Sequence, residues 1–171
     1  GVPYEMKSIM TEEVIPSLKK ESTNIIIHKT ILTCGVGETV IENKISDVVN
    51  TFPPHIKIAY LPALAQVRLR LSAIGQNESE LKGQVELFSG LISSRIGDVV
   101  FGYDNSSLEQ EIKRIAIQKN LKVATAESCT GGLIASKLVS VSGSSAYFSG
   151  GFVAYSNEIK TNILNVKKET I

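Results

Sequence analysis

The stretch Leu121-Lys122-Val123-Ala124-Thr125-Ala126-Glu127-Ser128-Cys129-Thr130-Gly131-Gly132-Leu133-Ile134 reads as a strand passing into a helix. Leu121–Ala126 is short, apolar and partly β-branched, as strands are. Ser128–Gly132 is the turn, and Leu133, Ile134, Leu138 and Val139 give the following helix its apolar positions. Amides at a helix start lack intrahelical partners and face outward, and glycines let a ligand approach the backbone. The same residues also fit a plain cap, with Ser128 or Thr130 closing the helix end. The stretch alone leaves both readings open.

Working outward, Ser106 with Glu109 predicts a capping box, and Leu108, Ile112, Ile115 and Ala116 an apolar helix stripe that ends at Asn120. Beyond the central stretch, Ser142–Ser145 is a loop, Gly151–Tyr155 a strand and Asn157–Leu164 helical. Helix, strand, helix, strand, helix is the signature of an α/β domain. Asp104-Asn105-Ser106-Ser107 is a polar break and the expected domain boundary.

Upstream, residues 1–20 predict an amphipathic helix through Met6, Ile9, Met10, Val14 and Ile15, weakened at its end by Pro16. Asn24–Thr33 suits a strand. Glu38–Val49 suits a helix with Val40, Ile41, Ile45, Val48 and Val49 inward, and Ile56–Leu61 a second strand. In Gln66–Leu71, Val67, Leu69 and Leu71 alternate with Arg68 and Arg70, a period of two with one buried face. Asn77 with Glu80 predicts an N-terminal cap for a helix through Leu81, Val85, Phe88, Ile92 and Ile96 that Gly97 ends. Val99–Tyr103 is the last strand of this small α+β module, whose helices are expected on one sheet face.

The totals exclude several classes of function. Eighteen basic and 17 acidic residues give a formal charge of +1, so no bulk attraction to nucleic acid or acidic membranes is expected. No apolar run reaches the roughly 18 residues that span a bilayer. The first residues lack signal-peptide character, and the expected location is cytoplasmic. Cys34 and Cys129 fit no metal spacing, and two free thiols are expected. The chain starts at Gly1 and stops at Ile171, just as a helix turn begins, which suggests a piece of a longer polypeptide.

A nucleophilic serine needs a base. His28 and His55 are the only histidines and both lie in the first module, so a Ser-His-Asp arrangement within residues 105–171 is excluded. Lysine is the remaining common base, and it accepts a proton only when neutral. Lys160, shortly after Tyr155-Ser156-Asn157, is the candidate; a solvated helix lysine is the plain alternative.

The segments AESCTGGLIASKL and GSSAYFSGGFVAYSNEIK resemble the C-terminal domain of the CinA family, the nicotinamide-nucleotide amidohydrolases. The resemblance runs from about Ser106 to the end, and two separated motifs agree in content and spacing. It implies that Ser128 is the nucleophile and that Tyr155 and Lys160 act with it. It further implies substrate contacts from Glu127, Thr130, Gly131, Gly132 and Asn157, with no metal and no cofactor. The implied reaction converts nicotinamide mononucleotide and water to nicotinic acid mononucleotide and ammonia. The amides of Thr130-Gly131-Gly132 serve either the oxyanion or the ribose phosphate, and Cys129 is the chemical alternative to Ser128 as nucleophile.

Residues 1–22 resemble the tail of the family's molybdopterin-binding-like domain, 23–104 its KH-like α+β domain and 105–171 the first half of its amidohydrolase domain. The resemblance implies that the pyrophosphatase chemistry of the first domain does not belong to this chain, and that the family's later Gly-Ile-Ala-Gly-Pro segment is absent. Gly35-Val36-Gly37-Glu38 does not supply the Gly-x-x-Gly loop with which KH domains clamp nucleic acid. The expected partner is therefore a small nucleotide, with no nucleic acid and no membrane. A homo-oligomer is compatible with this reading. The resemblance places the activity in the full-length parent, with this piece alone expected to be a poor deamidase, and the competing reading is a non-catalytic KH-like assembly or binding module.

Overall fold

Alternation along Gln66–Leu71 becomes a long strand. A computed structural model describes residues 2–21 and 23–171 and divides the chain into two compact units, Gly1–Asp104 and Asn105–Ile171. In the first unit, β1 (Ile25–Cys34), β2 (Ile56–Ala63), β3 (Gln66–Gly75) and β4 (Val100–Tyr103) form one antiparallel sheet in the order β2-β3-β1-β4. Helix α3 (Glu38–Val49) crosses from β1 to β2, and α4 (Glu78–Ile96) from β3 to β4. Each crossover skips one strand, which is the split βαβ arrangement made twice.

The register explains the core. Ile31 pairs with Leu69 and Thr33 with Val67, so these side chains share one face. Ile41, Ile45 and Val48 of α3 and Leu81, Val85, Ile92 and Ile96 of α4 cover that face. Thr33 is buried there because its hydroxyl donates to the Val67 carbonyl at 2.8 Å. The Asn77 side chain accepts from the Glu80 amide, as the cap pattern predicts, and Gly97 closes the helix. Val40 departs from expectation: it is exposed, because the inward stripe of α3 runs through Ile41, Ile45 and Val48.

The helix at the start does not stop at Pro16. It runs as α1 (Pro3–Ile9), a π-helical turn (Met10–Val14) and α2 (Ile15–Glu21). Proline has no N–H to give the carbonyl four residues back, and the π turn, in which the Ile15 amide reaches Met10, absorbs the mismatch. None of its described residues is buried, so Tyr4, Met6, Ile9 and Leu18 stay exposed.

The second unit runs α5 (Leu108–Gln118), β5 (Val123–Glu127), α6 (Leu133–Val139), β6 (Phe148–Val153) and α7 (Asn157–Asn162). Strands β5 and β6 are parallel neighbours. The capping box sits one residue later than expected: Ser107 caps α5, and the Gln110 side chain returns to the Ser107 amide. Ser106 and Ser107 both suit a cap, and the backbone selects the second. Ala116, Leu138 and Tyr147 are the buried centre, with Ile112, Val123 and Phe148 against it. Ile115, expected in that stripe, is exposed. Among the described residues no helix is long and apolar enough to cross a membrane.

Candidate functional site

Parallel strands place the two motifs at one end of the sheet. Glu127 is in register with Val153, and the Ala154 amide donates to the Glu127 carbonyl at 2.7 Å. Ser128 and Tyr155 therefore leave the carboxyl ends of adjacent strands, where open α/β sheets hold their ligands. Ser128 is half-buried, while Tyr155 is 72% exposed. Ser156 caps α7 by accepting from the Ile159 amide at 3.2 Å, which puts Asn157 and Lys160 in the first turn. Lys160 Nζ donates to Asn157 Oδ1 at 3.3 Å. Asn157, expected on the substrate, here faces the lysine. Among the described residues no hydrogen bond joins Ser128 to Tyr155 or Lys160.

The turn after β5 is built differently from either expectation. Neither Ser128 nor Thr130 caps α6; the N-cap is Gly132, which has no side chain to cap with. Gly131 and Gly132 have φ of +59° and +96°, the left-handed region that favours glycine, and a Cβ on Gly132 would also press on Val153. The cap comes from Glu127, which is only 4% exposed. Its Oε2 accepts from the Thr130 hydroxyl at 2.7 Å and the Ile134 amide at 2.9 Å. Its Oε1 accepts from the Ala135 amide at 2.8 Å. Burial opposes the charge, yet the amides of Ala135 and Ile134, the Thr130 hydroxyl and the Gly132 amide outweigh it and hold the carboxyl below its ordinary value.

The amides at the start of α6, expected to be open to an anion, are thus engaged by the protein's own carboxylate. The Gly131 amide is also used, donating to the Ser128 carbonyl at 3.0 Å, and the Leu133 amide donates to the Thr130 carbonyl. The amides of Cys129 and Thr130 have no protein acceptor among the described residues. Of the amides expected to meet a ligand, that of Gly131 is taken by the Ser128 carbonyl and that of Thr130 remains, joined by that of Cys129.

Tyr147 is the residue that sequence reasoning missed. It is fully buried, and its hydroxyl donates to the Leu138 carbonyl at 2.9 Å, pinning the end of α6 to the start of β6. An aromatic inside a Ser- and Gly-rich loop has no periodic neighbours, so only its size could have marked it. Cys34 and Cys129 are free thiols, and Cys129 is exposed. Among the described residues no three His, Cys, Asp or Glu side chains gather as a metal site would require.

Residues 105–171 match the family model of the CinA C-terminal domain, and residues 28–102 that of the damage-inducible protein CinA KH domain. A CinA-like protein of Flavobacterium psychrophilum is 46% identical across 100% of this chain, which covers 41% of that protein. A CinA-like protein of Cytophaga hutchinsonii is 41% identical, again over 100% of this chain and 41% of its own length. A crystal structure of the competence damage-inducible protein A from Klebsiella pneumoniae is 40% identical over 37% of this chain and 39% of that chain, with a TM-score of 0.36. The chain spans 41% of the length of the two relatives. With both of its halves matching domains of one family, the chain belongs to the CinA family.

Proposed function

We propose that the second unit carries a nicotinamide-nucleotide amidohydrolase site that converts nicotinamide mononucleotide to nicotinic acid mononucleotide and ammonia. The observation that supports this most is the pairing of motifs: Ser128 follows β5, and Tyr155 and Lys160 follow the parallel neighbour β6, at one sheet end. In this reading Ser128 Oγ attacks the carboxamide carbon while neutral Lys160 takes its proton. The C–N bond breaks, ammonia leaves with that proton, and water then cleaves the acyl-serine ester. Tyr155 donates a hydrogen bond to Lys160 or toward the leaving ammonia. The free amides of Cys129 and Thr130 are the donors nearest in sequence to Ser128, and the amide after a nucleophile is a common oxyanion donor. No step calls for a metal or cofactor.

The first unit is assigned a packing role. The sheet face away from α3 and α4 exposes His28, Lys57, Arg68 and Arg70. The positions of β1, β2 and β3 on that face include no Phe, Tyr or Trp, the platforms on which single-stranded nucleic acids stack. The functional reading is tested by incubating the purified chain with nicotinamide mononucleotide and resolving the products by mass spectrometry. Equal amounts of nicotinic acid mononucleotide and ammonia are expected. Release of free nicotinamide, or no product from the full-length parent at high enzyme concentration, contradicts the reading.

A further inference from the structure

The resemblance places Glu127 on the substrate, and the geometry argues against that. The side chain is almost fully buried, and both carboxylate oxygens are already bonded to the chain. A buried carboxylate also repels an anionic nucleotide. Ordinary helix caps come from the residue just before the helix. Here the acceptor lies on the last residue of β5, seven and eight positions before the amides it binds. The bonds therefore close a ring: strand end, turn and first turn of α6 are tied to one carboxylate, with Ser128 inside the loop. Thr130 is exposed at the surface, yet its hydroxyl turns back onto Glu127.

The geometry points to Glu127 as a positioning residue that fixes the Ser128–Gly132 turn, holding the serine at the sheet end and leaving the Cys129 and Thr130 amides as its free donors. The inference rests on the amidohydrolase reading for its kinetic consequence but not for its structural one. An ångström of displacement at a reacting group costs on the order of a hundredfold in rate. A positioning residue lost therefore lowers kcat, whereas a lost substrate contact raises KM.

The test uses Glu127→Gln in the full chain. The amide keeps the shape and one acceptor, but its NH2 group confronts a backbone N–H. The expected kcat falls at least about tenfold while KM for nicotinamide mononucleotide stays within about twofold. A comparable rise in KM with kcat retained would overturn the inference. A second readout needs no substrate: amide hydrogen exchange at Ile134 and Ala135, followed by NMR, accelerates at least about tenfold in the variant while that of Tyr147 does not. Unchanged exchange at both amides overturns the inference whatever the kinetics. A full-length parent that leaves the mononucleotide intact counts against the amidohydrolase reading, and the exchange arm still decides the role of Glu127. Should Glu127→Gln fail to fold, Thr130→Val removes one bond only. It should show a smaller loss of kcat with KM held and faster exchange at Ile134, and wild-type behaviour in both overturns the inference.

Discussion

The two units bury their chains very differently. The first covers a four-stranded sheet with two helices, and thirteen buried residues from five elements meet in one cluster. In the second, the apolar cluster holds only Ala116, Leu138 and Tyr147 among the described residues, beside a two-stranded sheet, and Phe152, Val153 and Tyr155 stay exposed. The candidate chemistry lies wholly in the thinner unit. Where apolar packing is scarce, order must come from directed bonds, and the bonds of Glu127, Tyr147 and Ser156 supply it. Packing defines the first unit; hydrogen bonds from a few polar groups define the second.

The largest effect expected from this contrast is kinetic and confined to the second unit. Lys160→Met should lower kcat for nicotinamide mononucleotide by about 10²–10⁴-fold, the range of a lost general base, with the melting temperature nearly unchanged. Unaltered turnover would return Lys160 to an ordinary helix lysine held by Asn157.

Next is a core deletion in the first unit. Leu69→Ala opens a cavity in the centre of the cluster and should cost about 2–5 kcal/mol in a denaturation experiment. If the units are as distinct as their cores, amide exchange in β5 and α6 should barely change. A loss of protection in both units together would join what the contrast separates.

A smaller effect is expected at Tyr147→Phe, which keeps the ring but orphans the Leu138 carbonyl. The cost is about 1 kcal/mol, read as a lower midpoint for the second unit alone. An equal shift in the first unit would contradict the assignment of that bond.

The smallest effect is a pH response. Glu127 has a folded value below its ordinary 4.5, so its contribution is fully present above 4.5 and is lost as pH falls through the lower folded value. In the first unit, Asp47 beside Arg95 and Glu78 beside Lys82 are also lowered, but these are surface pairs that count for little. Acid titration below pH 4.5, followed by NMR, should loosen the second unit before the first. Simultaneous loss would show that Glu127 carries no special share.

The first unit was largely legible because its order is periodic. The alternation of Val67, Leu69 and Leu71, the α3 span and the Asn77 cap follow from the pattern of side chains along the chain. The second unit was legible as an order of elements but not as a site. Strand β6 starts at Phe148, three residues before the expected Gly151: Phe148 pairs with Val123 and Gly150 with Ala124, and the register shifts at Ser149 between them, an irregularity no side-chain alternation marks. The partners of Glu127 are mostly backbone amides seven and eight residues away, which no side-chain pattern announces. Ser128, Tyr155 and Lys160 were read from a resemblance; that they leave neighbouring strand ends follows from the parallel pairing of β5 with β6.

The proposed site makes Ser128 the nucleophile rather than the exposed thiol of Cys129 beside it. Ammonia release from nicotinamide mononucleotide by the parent chain, Ser128→Ala and Cys129→Ala measures this directly. Ser128→Ala is expected to lose turnover by about 10⁴-fold or more while Cys129→Ala keeps it. Normal turnover by Ser128→Ala, with loss in Cys129→Ala, would contradict it.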